Sequence, residues 1–100
     1  MRLGIHVNTD RHMRECLSIA RAAADQGHTV KVFVTGEGVG LLRDKGMEEL
    51  TGIRDVEVSF CDFNARKMGI PAELHNNALR AGSQLDNAVM VRDSDRVICL

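Results

Sequence analysis

Apolar residues follow two different periods along the chain, and these periods predict alternating strands and helices. Short, mostly apolar runs are typical of buried strands. Four such runs predict strands of a sheet: Arg2–Val7, His28–Gly36, Val56–Cys61 and Val97–Leu100. A short further strand, the fourth in chain order, is predicted around Asn77–Ala81, at the end of the stretch with the least readable pattern. After the first run, apolar residues recur every three or four positions, as on one face of a helix: Met13, Leu17, Ala20 and Ala24. Strands that alternate with helices predict a parallel sheet covered on both faces.

Residues that favour helix ends mark the boundaries of these elements. The segment Asn8–Asp10 offers N-cap candidates for the first helix, and Gly27 stands where a C-terminal glycine ends it. Asp62 is the predicted N-cap of a helix that follows the third strand. Ser83 begins a capping box with Asp86 three residues later, which predicts the start of the last helix.

Composition narrows the class of protein. A chain of 100 residues fits a single domain, residues 1–100, and its hydrophobic content of 44% suffices for a compact core. Lys and Arg number 13 against 14 Asp and Glu, and this balance argues against a nucleic-acid or anionic-membrane surface. The N-terminal segment becomes polar after five residues, unlike a signal peptide or a membrane span, so a cytoplasmic location is expected.

The three cysteines have no paired spacing, so free thiols are expected rather than a disulfide framework. Cys61 ends the third strand, at the edge of a parallel sheet where sites form, and directly precedes a helix. Helix N-termini can lower the pKa of a thiol, and the resulting thiolate attacks sulfur or phosphorus. An inert packing thiol is the alternative for Cys61. Cys16 and Cys99 are both predicted to be core thiols.

Three stretches in order resemble the DsrE-like family, including its TusD type: "VKVFVTGEGV", "CDFNARKMGI" and "GSQLDNAVMVRDSDRVICL". The resemblance covers nearly the whole chain. It implies a three-layer α/β/α sandwich with a five-stranded parallel sheet of order 4-3-2-1-5. It also implies a homo-oligomer, a trimer or a hexamer. No cofactor or metal is expected.

In sulfur-relay members of this family, the cysteine that matches Cys61 carries sulfur as a persulfide between a donor and an acceptor protein. The resemblance thus implies a sulfurtransferase or persulfide carrier. The helix start from Asp62 to Asn64 is then expected to stabilise negative charge, and Arg66 or Lys67 to help dock an acidic partner. His12, at the first turn of the first helix, lies on the same sheet edge and is a candidate to assist the thiolate.

Other functions compete with sulfur transfer. A non-catalytic oligomeric adaptor with the same fold is the main alternative. The loop of low-molecular-weight tyrosine phosphatases has a spacing similar to that of Cys61, Asn64 and Lys67. That loop needs Arg at the position of Lys67, because a guanidinium binds two phosphate oxygens at once. The "GEGVG" turn lacks the residues of a P-loop and the spacing of a dinucleotide site. His6, in a strand, is expected to be a hydrogen-bonded interior histidine rather than a metal ligand.

Sheet topology points to a second location. An order of 4-3-2-1-5 reverses between the first and fifth strands, where ligands usually bind in such folds. Cys61 ends the third strand, so the two criteria indicate different places, and protein-to-protein sulfur transfer favours the cysteine.

Overall fold

The computed structural model describes residues 1–70 and 79–100, and in these residues helices follow the strands in alternation. The strands are β1 Arg2–Val7, β2 Thr29–Val34, β3 Val56–Cys61, β4 Leu79–Gly82 and β5 Arg96–Cys99. The α-helices are α1 Met13–Asp25, α2 Lys45–Thr51, α3 Asp62–Lys67 and α4 Gln84–Asp93, and a 3₁₀ helix spans Gly36–Arg43.

All strand pairs are parallel, and the sheet order is β4-β3-β2-β1-β5. This arrangement confirms the fold predicted from the sequence. The register aligns Ile5, Val32 and Val58 across the three central strands. Their side chains belong to the main core, with the buried residues of α1, α2 and α3. We call this side of the sheet the core face.

The opposite side of the sheet, the α4 face, is packed less completely. There Phe33 and Cys61 form a small buried cluster with Met90 of α4. Among the described residues, α4 is the helix that covers this face, on its way from β4 at one sheet edge to β5 at the other. Lys31 and Glu57 therefore remain exposed on the strands, 3.8 Å apart.

Several predicted helix ends need correction. None of Asn8–Asp10 caps α1, which begins at Met13 after His12, and the side chain of His12 makes no capping bond. Asp62 is the first residue of α3 and Cys61 holds the N-cap position, because Cys61 keeps the extended backbone of β3. The predicted stop at Gly27 is confirmed, since its φ of 86° lies in the left-handed region that glycine tolerates.

Two other boundaries also differ from the sequence prediction. The "GEGVG" turn opens a 3₁₀ helix, and α2 begins shortly after it, where the side chain of Asp44 accepts a hydrogen bond from the Gly46 N–H at 2.7 Å. The fourth strand was predicted for Asn77–Ala81. Its observed part begins at Leu79, and residues 77 and 78 lie outside the described residues. In residues 1–70 and 79–100, none of the helices combines the length and hydropathy of a membrane span.

Candidate functional site

Cys61 occupies the carboxyl end of β3, at the sheet edge predicted from the sequence. Its side chain points toward the α4 face, where it packs with Phe33 and Met90. In the single chain only 3% of Cys61 is exposed. The thiol therefore lies at the carboxyl ends of the strands, as predicted, but is covered by neighbouring side chains.

An open groove leads to this thiol. It has a volume of about 560 Å³ and lies between the first turns of α3 and α4. We call it the Cys61 groove, and its lining residues are Cys61, Asp62, Phe63, Asn64, Arg66, Gly82, Ser83 and Gln84. Gly82 is the direct partner of Cys61 on β4. Because glycine has no side chain, this position adds no obstruction beside the thiol.

The charged residues of the groove are paired with one another. Arg66 Nε lies 2.7 Å from Asp62 Oδ2, an i,i+4 pair on α3. The carboxylate of Asp62 is thus balanced by a guanidinium, which limits its repulsion of a thiolate at Cys61. Lys67 is exposed on the same helix, and among the described residues no carboxylate lies within ion-pair distance of it.

Asn64 connects α3 to the segment that follows β2. Its Oδ1 accepts a hydrogen bond from the Gly36 N–H at 3.1 Å. Gly36 has a φ of 55°, a conformation that a residue with a side chain adopts only with strain. The amide of Asn64 therefore holds the start of α3 in place rather than pointing at the sulfur of Cys61.

The structure does not bring His12 to the thiol. His12 precedes α1, and its Nδ1 lies 3.7 Å from Glu15 Oε2. Strand β2 separates β1 from β3, so the ends of these two strands are about 10 Å apart. The hydrogen bonds and ion pairs of the described residues do not join His12 to Cys61, and assistance by His12 stays a prediction.

The two other cysteines differ from each other. Cys16 is buried in the main core, which confirms its prediction as a core thiol, and this burial raises the pKa of the thiol to about 11. Cys99 is exposed, so its prediction as a core thiol is wrong. The reason is that Cys99 lies on the edge strand β5, where α4 leaves the sheet uncovered and where Val97 is also 39% exposed.

His6 is hydrogen-bonded, as predicted, but its side chain is only partly buried rather than interior. Its Nε2 and the Oγ1 of buried Thr35 share a hydrogen bond of 2.8 Å. Partial burial lowers the pKa of His6. Over residues 1–70 and 79–100, no cluster of three or more His, Cys, Asp or Glu side chains is arranged to hold a metal ion.

Two residues beside the Cys61 groove were not singled out from the sequence. Phe63 is 71% exposed and Leu85 is 73% exposed. Helical spacing from the buried residues could have indicated their exposure. The buried residue of α3 is Ala65 and that of α4 is Met90. An apolar residue two positions before Ala65, or five before Met90, lies away from the packed side of its helix.

The comparisons with known proteins agree on the fold. The model of the DsrE/DsrF-like family matches residues 1–100. The crystal structure of the YchN protein from E. coli superposes with a TM-score of 0.78 at 15% identity, and the match covers 99% of this chain and 97% of that chain. A protein of unknown function from Methanobacterium thermoautotrophicum, MTH1491, gives a TM-score of 0.72 at 20% identity, with 99% and 98% covered. No curated protein sequence matches the chain significantly.

Proposed function

Because the chain belongs to the DsrE/DsrF-like family, we propose that it is a persulfide carrier, which passes sulfur between proteins of a cytoplasmic sulfur relay. The observation that carries the proposal is the position of Cys61 at the floor of a groove on the carboxyl edge of the sheet. Sites of parallel α/β proteins form at this edge.

The chemistry requires a single nucleophile. The Cys61 thiolate attacks the outer sulfur of a donor persulfide, a new S–S bond forms, and the donor leaves as a thiolate that can take up the proton. An acceptor thiolate then attacks the outer sulfur on Cys61, and Cys61 leaves as a thiolate. Sulfur changes carrier, and neither half-reaction needs an external oxidant or reductant.

The neighbouring residues have separate roles in this proposal. Asn64 holds α3 against Gly36, which keeps the thiol at the floor of the groove. Arg66 forms an ion pair with Asp62, so the negative charge of this carboxylate next to the sulfur is balanced. Lys67 remains available for an acidic partner. Since Cys61 is covered in the single chain, a partner or a local opening of α4 has to uncover it.

Intact-mass measurement tests the proposal directly. The protein is incubated with a cysteine desulfurase and cysteine, and persulfide formation adds about 32 Da. We expect this adduct on the wild type and on Cys99→Ser, and we expect Cys61→Ser to lose it. An adduct that persists in Cys61→Ser, or a wild type that never acquires one, contradicts the assignment.

The burial of Cys61 supports a second candidate function, a non-catalytic adaptor whose surface rather than its thiol does the work. The rate at which iodoacetamide alkylates Cys61, measured over a range of pH, separates the two. A carrier requires a thiol that reacts in the folded protein and gains rate as it ionises. Alkylation of Cys61 that occurs only with global unfolding supports the adaptor.

We also propose that the chain acts as a homo-oligomer, a trimer or a hexamer. The support comes from the α4 face, where a single helix covers part of a five-stranded sheet within the described residues. The apolar side chains of Val91 and Val97 are exposed at this face or beside it. Contact with other subunits would remove this apolar surface from water.

A further inference from the structure

The two most exposed large apolar side chains of the described residues belong to the two helices whose first turns border the Cys61 groove. Leu85 is 73% exposed and Phe63 is 71% exposed, whereas the next, Met1, is 57% exposed. Phe63 is the second residue of α3 and Leu85 is the second residue of α4. These two helices form the opposite walls of the groove. Exposed apolar residues that flank a site are typical of an interaction surface.

The α3 wall of the groove carries a net positive charge, because the carboxylate of Asp62 is paired with Arg66 and Lys67 is left over. On the α4 wall, the carboxylate of Asp86 accepts the Ser83 N–H at 2.7 Å and is thereby held at the start of its own helix. Lys67 follows Phe63 by four residues, so both lie on the same side of α3. No carboxylate of residues 1–70 and 79–100 forms an ion pair with Lys67.

We propose that Phe63, Leu85 and Lys67 form the docking surface for the protein that exchanges sulfur with Cys61. The partner is a segment that presents apolar side chains flanked by carboxylates around its own reactive sulfur. The apolar side chains pack on Phe63 and Leu85, and a carboxylate binds Lys67. A segment seated on both walls lies across the groove and brings its sulfur toward Cys61. This inference rests on the proposed function of Cys61.

Peptide disulfides probe this surface without knowledge of the natural partner. Two pentapeptides carry a central cysteine joined to 2-nitro-5-thiobenzoate, with leucine on both sides and either aspartate or lysine at both ends. Cys61 attacks the cysteine sulfur, the peptide becomes disulfide-bonded to Cys61, and the coloured nitrothiobenzoate leaves. The full chain carries Cys99→Ser, so the colour reports on Cys61, because Cys16 is sealed in the core.

We expect the acidic peptide to react about tenfold faster than the basic one, from steering by Lys67 and packing on the apolar pair. Phe63→Ala with Leu85→Ala should slow both peptides, and Lys67→Gln should abolish the preference between them. Met68→Ala is the matched control, since Met68 is exposed just beyond α3 and its side chain lies toward Gly40.

The outcomes distinguish failure of the docking surface from failure of the proposed persulfide-carrier function. If Cys61 reacts with both peptides at equal rates, or if the apolar substitutions change nothing, the docking surface is wrong and the carrier function still stands. If Cys61 reacts with neither peptide, the docking surface is wrong, and if it also gains no adduct of about 32 Da from a cysteine desulfurase and cysteine, the carrier function fails as well. If a variant loses the preference for the acidic peptide and the mass of the assembly also changes, a second copy of the chain occupies the surface. That outcome overturns the docking proposal.

Discussion

Three thiols of one small chain have different surroundings, and we expect their reactivities to differ accordingly. Cys99 is exposed, Cys61 is covered but lines a groove, and Cys16 is buried with a pKa raised to about 11. At about pH 8, iodoacetamide should alkylate Cys99 first, then Cys61, and Cys16 last, because only an accessible thiolate reacts. Peptide mapping by mass spectrometry at successive times gives the order.

Unfolding provides the control for this order. In concentrated urea the three cysteines should react at similar rates, since burial no longer distinguishes them. Cys99→Ser should remove only the fast phase in the folded protein. Alkylation of Cys16 as rapid as that of Cys99, without urea, would show that the core around α1 opens far more easily than its packing indicates.

His6 makes stability depend on pH in a defined direction. Burial lowers its pKa below the ordinary value of 6.5, so the unfolded chain takes up a proton at a higher pH than the folded chain does. The stabilising effect of neutral His6 is present above about pH 6.5 and is lost as the pH falls through the folded-state pKa. The free energy of unfolding should therefore decrease as the pH falls below about 6.5.

Urea titrations at a series of pH values measure this dependence. His6→Gln should reduce the slope below about pH 6.5, because glutamine does not titrate. His12→Gln is the control, since His12 is outside the core and hydrogen-bonds neither Thr35 nor the sheet. An unchanged slope in His6→Gln would assign the acid sensitivity to other groups.

At the scale of an element, the capping box fixes where α4 begins. The Ser83 hydroxyl accepts the Leu85 N–H at 3.2 Å, and Asp86 accepts the Ser83 N–H at 2.7 Å. Loss of an N-cap side chain typically costs about 1 kcal/mol, so Ser83→Ala should lower the free energy of unfolding by about that amount. Urea denaturation followed by circular dichroism gives the value.

Ser18→Ala is a suitable comparison for this substitution. Ser18 is exposed within α1, where alanine favours the helix slightly, so its replacement should be neutral or mildly stabilising. Equal losses in the two variants would mean that the hydroxyl of Ser83 contributes nothing as a cap. Because Ser83 also lines the Cys61 groove, fraying of α4 should in addition make Cys61 alkylate faster.

Elements were predictable where one local signal decided the outcome. β1 and β3 have the predicted bounds, because each mostly apolar run is followed by a polar residue, and Ser83 with Asp86 marks α4 unambiguously. The predicted N-cap of α3 was wrong by one residue, because aspartate is a more common N-cap residue than cysteine. The strand continues through Cys61, and tertiary pairing with Gly82 outweighs that local preference.

At the scale of the whole molecule, sequence periodicity shows which strand positions share a face but not how fully that face is covered. Val97 and Cys99 alternate with Ile98 as a buried strand requires, and the family resemblance predicted the sheet order correctly. The exposure of Cys99 depends on α4 crossing the sheet without reaching this part of β5. The groove at Cys61 likewise arises from two helix starts that are distant in sequence.

The incomplete cover of the α4 face leads to the prediction about assembly. We expect light scattering to give a mass three or six times the 11.0 kDa of the chain. Subunit contacts on this face would bury Val97, which is 39% exposed in the single chain. Val97→Glu should therefore lower the mass of the assembly, because burying an unpaired carboxylate costs free energy. Phe63→Glu should leave the mass of the assembly unchanged, since we propose that Phe63 contacts the sulfur partner and not another subunit. A clean 11.0 kDa species for the wild type would contradict the assembly, while the same low mass for both variants would place Phe63 between subunits and remove it from the docking surface.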